Sequence, residues 1–170
     1  MPAEDRPSAG PAEGLVVRLA RAGHTVAVAE SLTGGLLVAE LVSVPGASAV
    51  VLGGVVAYAT EIKQTLLGVP AALLAEHGPV HPEVARLMAL GARSALAVGG
   101  QDATVGISTT GVAGPGPQDG HPAGTAFVGI AVGAEVRVLA LRLSGDRSAI
   151  RRAVVSEALS GLSGMIPEQR

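Results

Sequence analysis

No cysteine occurs anywhere in the chain, which excludes disulfides, thiolate catalysis and zinc–thiolate centres. Aromatic residues are almost missing as well: one Tyr, one Phe and no Trp. A core must then be assembled from Val, Leu, Ile and Ala, which suits the closely spaced helices and strands of a layered α/β domain. Charge is sparse, at 15% of residues with a formal net of −2, so no electrostatic attraction to nucleic acid is expected. No apolar run reaches the roughly eighteen residues of a membrane span, and residues 1–10 lack the apolar centre of a signal peptide. The expectation is a soluble cytoplasmic protein without a membrane partner. Residues 1–10 are expected to be a disordered tail, and residues 11–170 a single domain.

Hydrophobic residues make up 48% of the 170, ample for one core. Leu15, Val16, Leu19 and Ala20 recur at helical spacing before Gly23. Val26 to Ala29 reads as a short buried strand, and Thr33 to Leu41 as a helix ended by Ser43-Val44-Pro45-Gly46. A second strand covers Ala49 to Tyr58, with a bulge or close backbone approach expected at Gly53-Gly54. Short helices follow over Thr60 to Leu67 and Pro70 to His77, then a long one over Pro82 to Val98. Gly91 costs that helix about 1 kcal/mol against Ala unless a neighbour packs closely against it. Ala103 to Thr109 is a third strand, and Thr110 to Gly124 a loop rich in Gly and Pro. Thr125 to Val132 and Glu135 to Leu143 form a hairpin around Gly133-Ala134, and Asp146 caps a last helix through Leu162. The spacing predicts an α/β fold: a three-layer α/β/α sandwich with a mixed, mostly parallel sheet of about five strands and one antiparallel hairpin.

In such sheets, sites collect outside the carboxyl ends of the strands. Ser31, Tyr58 and Thr110-Gly111 stand at those ends. Ser31 reads either as a helix N-cap or as a nucleophile, with amides around Thr33, Gly34 and Gly35 available to an oxyanion. Lys63 is the only lysine, every other strong base being Arg. Burial can lower the pKa of a lysine until it acts as a base, whereas arginine stays protonated. No local spacing ties any of the four histidines to Ser31, so Lys63 is the better candidate base. Tyr58, the only tyrosine, could hydrogen-bond the amine or relay a proton. The glycines at 111, 114, 116 and 120 permit close ligand approach. Arg147 reads equally as a phosphate clamp and as a partner of Asp146. No metal-ligand spacing appears, and no cofactor is expected.

Taken together, Ala29-Glu30-Ser31-x-Thr33-Gly34-Gly35, Val44-Pro45-Gly46-x-Ser48, Tyr58-x-x-x-x-Lys63, Leu67-Gly68-Val69, Thr110-Gly111-Val112-Ala113-Gly114-Pro115, Pro122-x-Gly124-Thr125 and Gly145-Asp146-Arg147 resemble, in order, the motifs of the CinA C-terminal domain family. Its stand-alone members are nicotinamide-nucleotide amidohydrolases. The resemblance implies hydrolysis of the carboxamide of nicotinamide mononucleotide to nicotinic acid mononucleotide and ammonia. It also implies a catalytic Ser31, Tyr58 and Lys63, no metal and an α/β/α fold. On the residues, Thr33, Gly34, Gly35, Thr110, Gly111, Gly114 and Arg147 are the candidates for holding the nucleotide and its oxyanion. Leu32 stands where Cys is common in the family, and Ala59-Thr60 where Ser-Asn is common. The alternative class is a non-catalytic nucleotide-binding or competence/damage-associated interaction module. A homodimer is expected, since two-fold assemblies dominate among soluble proteins.

Overall fold

A computed structural model describes residues 11–168, so the expected tail at residues 1–10 lies outside the described residues. The elements in order are α1 (Pro11–Arg21), β1 (Val26–Glu30), α2 (Leu36–Val42), a 3-10 turn (Ala47–Ala49), β2 (Val51–Val56), α3 (Thr60–Thr65), α4 (Ala71–His77), α5 (Pro82–Ala95), β3 (Val105–Gly111), β4 (Thr125–Val132), β5 (Glu135–Arg142) and α6 (Arg147–Ser163). One five-stranded sheet has the order β2-β1-β3-β4-β5. β1 pairs in parallel with β2 and with β3, whereas β3–β4 and β4–β5 are antiparallel. The fold is thus α/β with a mixed sheet flanked by helices. The β3–β4 pairing is a second antiparallel pair, beyond the hairpin that spacing reveals. Among the described residues no helix is long and apolar enough to cross a membrane.

Alternation along the buried strands divides the core into two layers. Val26, Val28, Val105 and Ile107 face α1, α2 and α6, with Leu15, Leu37, Leu41, Val154 and Leu162 in one cluster. Ala27 and Ala29 face the other way, with Leu67, Val84, Met88 and Ala92. Lacking aromatics to fill space, the second layer closes by bringing backbone onto backbone. A Cβ on Gly106 would lie 1.9 Å from the Ala89 carbonyl oxygen, and one on Gly129 2.2 Å from that of Ala85. The Ser108 hydroxyl donates to the Ala85 carbonyl at 2.6 Å.

Gly91 obeys the same rule. A Cβ there would stand 1.9 Å from the Leu67 carbonyl oxygen, a backbone atom with no rotamer to retreat into. Gly91→Ala therefore clashes despite the better helix propensity of alanine. Its expected cost is about 2–3 kcal/mol, a fall in Tm of roughly 5–10 °C, measurable by thermal unfolding. A stabilised Gly91→Ala protein would contradict the packing described.

Candidate active site

The parallel pairings bring the carboxyl ends of β1, β2 and β3 to one edge, with Glu30 opposite both Val56 and Thr109. Ser31 follows β1 directly, and its amide donates to the Thr109 carbonyl at 2.9 Å. It does not cap α2. That helix begins at Leu36, with Gly35 as its N-cap in a left-handed conformation (φ 98°). Gly34 is left-handed too (φ 60°), so the chain turns for several residues where helical periodicity suggests helix. The cap is supplied by Glu30, which is 1% exposed. Its carboxylate accepts from the amides of Gly35 (3.1 Å), Leu37 (3.0 Å) and Val38 (2.9 Å). A carboxylate at a helix N-terminus is stabilised by the unsatisfied amides and the helix dipole together.

Lys63 sits on α3, 1% exposed and among the largest fully buried side chains. Its Nζ donates to the Ser31 Oγ at 3.1 Å, to the Ala57 carbonyl at 2.7 Å and to the Tyr58 carbonyl at 3.3 Å. Burial lowers its pKa from 10.5 to about 8, against the opposing pull of the Glu61 carboxylate. An amine with no buried carboxylate partner among the described residues, touching a buried hydroxyl, is poised to take a proton from it.

A cavity of about 290 Å³ opens beside this pair. Ser31, Tyr58, Lys63, Thr110, Gly111, Gly114 and Arg147 all line it, uniting seven of the residues singled out in the sequence. The Tyr58 side chain, 62% exposed, turns outward. Its hydroxyl accepts from Arg147 Nη2 at 3.2 Å, while Arg147 Nη1 donates to the Gly114 carbonyl at 2.9 Å. The expected contact between the Tyr58 hydroxyl and the amine is thus replaced by one from its peptide carbonyl, because the carbonyls of Ala57 and Tyr58 converge on Nζ and leave the ring facing outward. Arg147 does not pair with Asp146, whose carboxylate caps α6 by accepting from the Ala149 amide at 2.7 Å.

The expectation of an oxyanion site at Thr33, Gly34 and Gly35 is corrected. Thr33, Gly34 and Gly35 are not among the cavity-lining residues. The amides of Gly34 and Gly35 already donate, to the Ser31 carbonyl at 3.1 Å and to Glu30, so neither is free for an oxyanion. Thr33 is fully buried, with its hydroxyl 2.7 Å from that of Thr109. Thr110 ties its hydroxyl to the Pro79 carbonyl at 2.7 Å. The glycine at 111 serves sheet packing, since a Cβ there would meet the Thr125 carbonyl at 2.6 Å. By contrast, the amides of Ala113, Gly114 and Gly116 have no backbone partner among the described residues, leaving donors along the loop wall. No histidine lines the cavity, and among the described residues no group of three or more His, Asp or Glu is arranged to hold a metal ion.

Glu30 and Arg151 are the residues that sequence reasoning missed. A charge at the end of an otherwise apolar strand is a signal for Glu30. Nothing in the periodicity of α6 distinguishes Arg151 from its neighbours.

Comparison with known proteins identifies the family and the fold. The CinA C-terminal domain family matches residues 9–166. A CinA-like protein of Frankia casuarinae is 47% identical over 155 residues, 91% of this chain and 35% of that protein. One of Anaeromyxobacter sp. (strain Fw109-5) is 48% identical over 147 residues, 86% of this chain and 35% of that protein. The chain therefore spans about a third of the length of these relatives. Among solved structures, the competence/damage inducible protein CihA of Agrobacterium tumefaciens superposes with a TM-score of 0.82 at 33% identity, covering 92% of this chain and 96% of that one. A CinA superfamily protein of Klebsiella pneumoniae gives 0.86 at 29%, covering 92% and 95%. With nearly all its described length matched by the family model and its fold shared with these structures, the chain belongs to the CinA C-terminal domain family.

Proposed function

We propose that this chain is a nicotinamide-nucleotide amidohydrolase that converts nicotinamide mononucleotide to nicotinic acid mononucleotide and ammonia. The observation that carries this reading is the buried Ser31–Lys63 pair, 3.1 Å apart, at the floor of the cavity. Neutral Lys63 takes the Ser31 proton as Oγ attacks the carboxamide carbon. The tetrahedral intermediate collapses with cleavage of the C–N bond, and Lys63 returns the proton to the leaving nitrogen. Water, deprotonated by Lys63 in its turn, then hydrolyses the acyl-enzyme. Tyr58 acts through its carbonyl on the amine and through its hydroxyl on Arg147. Arg147 and the free amides of the 113–116 stretch form an anion-binding wall suited to the phosphate. The family resemblance supports the choice of nucleotide, and the Ser31–Lys63 contact supports acyl-transfer chemistry.

The test is ammonia release from nicotinamide mononucleotide by the pure protein without added metal, followed against pH. At pH 7 roughly one molecule in ten carries neutral Lys63, given a pKa of about 8. Turnover should therefore rise tenfold per pH unit below that value and level off above it. The same shift has a consequence for stability. The folded pKa lies below the unfolded one, so between about 8 and 10.5 the unfolded chain binds more protons and stability increases with pH across that window. Tight nucleotide binding without ammonia release would instead support the binding-module alternative. A flat pH profile from 6 to 9 would remove Lys63 from the role of base.

A further inference from the structure

Of the amides first expected to receive an oxyanion, those of Gly34 and Gly35 are occupied, which leaves the question of which donor serves in their place. Around the nucleophile the backbone can be followed group by group. The Ser31 amide goes to Thr109, the Gly34 amide to the Ser31 carbonyl and the Leu36 amide to the Thr33 carbonyl. Gly35, Leu37 and Val38 donate to Glu30. The amides of Leu32 and Thr33 have no backbone partner among the described residues. Of these two residues, Thr33 is fully buried, and Leu32 lines the cavity next to Ser31.

The carbonyls of the same turn are held from outside. Arg151, one helical turn beyond Arg147 on α6, donates from Nε to the Leu32 carbonyl at 2.9 Å and from Nη2 to the Thr33 carbonyl at 2.8 Å. One planar guanidinium thus bonds two successive peptide units, which no lysine can reproduce. The space over Gly34 is filled by the same group, since a Cβ there would come within 3.1 Å of Nη2. With the Ser31 carbonyl fixed by the Gly34 amide and the next two carbonyls fixed by Arg151, every peptide plane from Ser31 to Gly34 is constrained. The Leu32 amide is left without freedom and, among the described residues, without a partner. A preorganised donor of this kind stabilises charge as it develops, at no cost of reorganisation.

We propose that the Leu32 amide is the oxyanion donor of this site and that Arg151 is the positioning residue, which by holding the Thr33 carbonyl fixes the Gly34 amide that anchors the Ser31–Leu32 peptide. The inference rests on the acyl-transfer reading above and adds to it a residue that touches neither substrate nor nucleophile. Arg151 acts only through the backbone of the 31–34 turn. Its removal therefore weakens transition-state binding and leaves the ground-state contacts of Arg147 and the glycine-rich loop in place.

The experiment compares wild type, Arg151→Ala and Arg151→Lys by two rates. One is steady-state ammonia release from nicotinamide mononucleotide. The other is labelling of Ser31 by a fluorophosphonate, read by intact mass: Oγ bonds to phosphorus, fluoride leaves and the serine proton passes to Lys63. Arg151→Ala should lose about 10²-fold in kcat with KM changed by less than about threefold, and labelling should slow in parallel. Free guanidinium should restore part of both rates in Arg151→Ala. Arg151→Lys, which keeps one of the two bonds, should fall between the two and carries the comparison if the alanine variant folds poorly. Wild-type rates in Arg151→Ala, or a loss that guanidinium does not relieve and that tracks a lowered Tm, would overturn the proposal. Failure to label Ser31 in the wild type would remove the nucleophile and this inference with it. Labelling without ammonia release would remove only the assigned substrate, and the labelling rates would still decide for or against Arg151.

Discussion

Lys63→Arg should lower ammonia release by about 10²–10⁴-fold, the range associated with loss of a positioned general base. The substitution keeps the positive charge but removes the ability to lose it, because a guanidinium stays protonated at every accessible pH. The basic limb of the pH profile should vanish with it. A second effect acts in the same direction. The amine occupies a site enclosed by the Ala57 carbonyl at 2.7 Å, the Tyr58 carbonyl at 3.3 Å and the Ser31 hydroxyl at 3.1 Å. A wider planar group must displace at least one of them. Measuring the residual rate from pH 7 to 10 separates the two effects. A purely steric defect keeps a slope with pH, whereas loss of the base gives a flat, low line. Full activity in the arginine variant would sink the assignment of Lys63.

Ser31→Ala should be the more severe lesion, lowering kcat by about 10⁴–10⁶-fold, the scale seen when a nucleophile is deleted from a group that acts as a unit. It should do so with little structural penalty. The one side-chain hydrogen bond that Ser31 Oγ makes is to Lys63, whose amine keeps its two carbonyl acceptors, and the Ser31 amide bond to Thr109 does not involve the side chain. A change in stability of about 1 kcal/mol is expected from the lost hydrogen bond, small enough to leave Tm within a few degrees. Nicotinamide mononucleotide should still bind, and calorimetry would show it. An inactive variant that also fails to bind would move Ser31 from nucleophile to substrate contact. An active one would end the covalent mechanism.

Much of this site was legible because chemistry left marks on composition and topology. A lone lysine in a chain that otherwise uses arginine, five positions after a lone tyrosine, singles out Lys63 before any fold is known. Parallel strands then place Ser31 and Tyr58 at neighbouring ends, as the β1–β2 register bears out. What stayed hidden depends on which backbone groups are already taken. Helical periodicity runs back through Thr33, but the left-handed Gly34 and Gly35 delay α2 to Leu36, so Ser31 is not its cap and Glu30 is. No pattern of residue types announces that Glu30 occupies the Gly35 amide or that Arg151 reaches two carbonyls more than a hundred positions away in the chain. The antiparallel β3–β4 pairing was equally obscure, because a loop of that length admits either strand direction. Gly91 was an intermediate case. The sequence posed the choice between a weak helix and a close neighbour, and Leu67 decides for the neighbour.

That neighbour also connects distant parts of the chain. Leu67 lies in the segment that follows α3, and the Val69 amide beyond it closes on the Lys63 carbonyl at 3.1 Å. The long helix α5 therefore presses, at a position with room for a hydrogen but not for a methyl group, on the stretch of backbone that carries the Lys63 amine. A random mutagenesis screen scored by activity would recover Gly91 alongside Ser31 and Lys63, although it touches no ligand. Second-site suppressors of a Gly91 lesion would fall on the 66–69 turn, and the cavity wall would be left untouched. The genetic map of function in this domain is thereby wider than its chemical one.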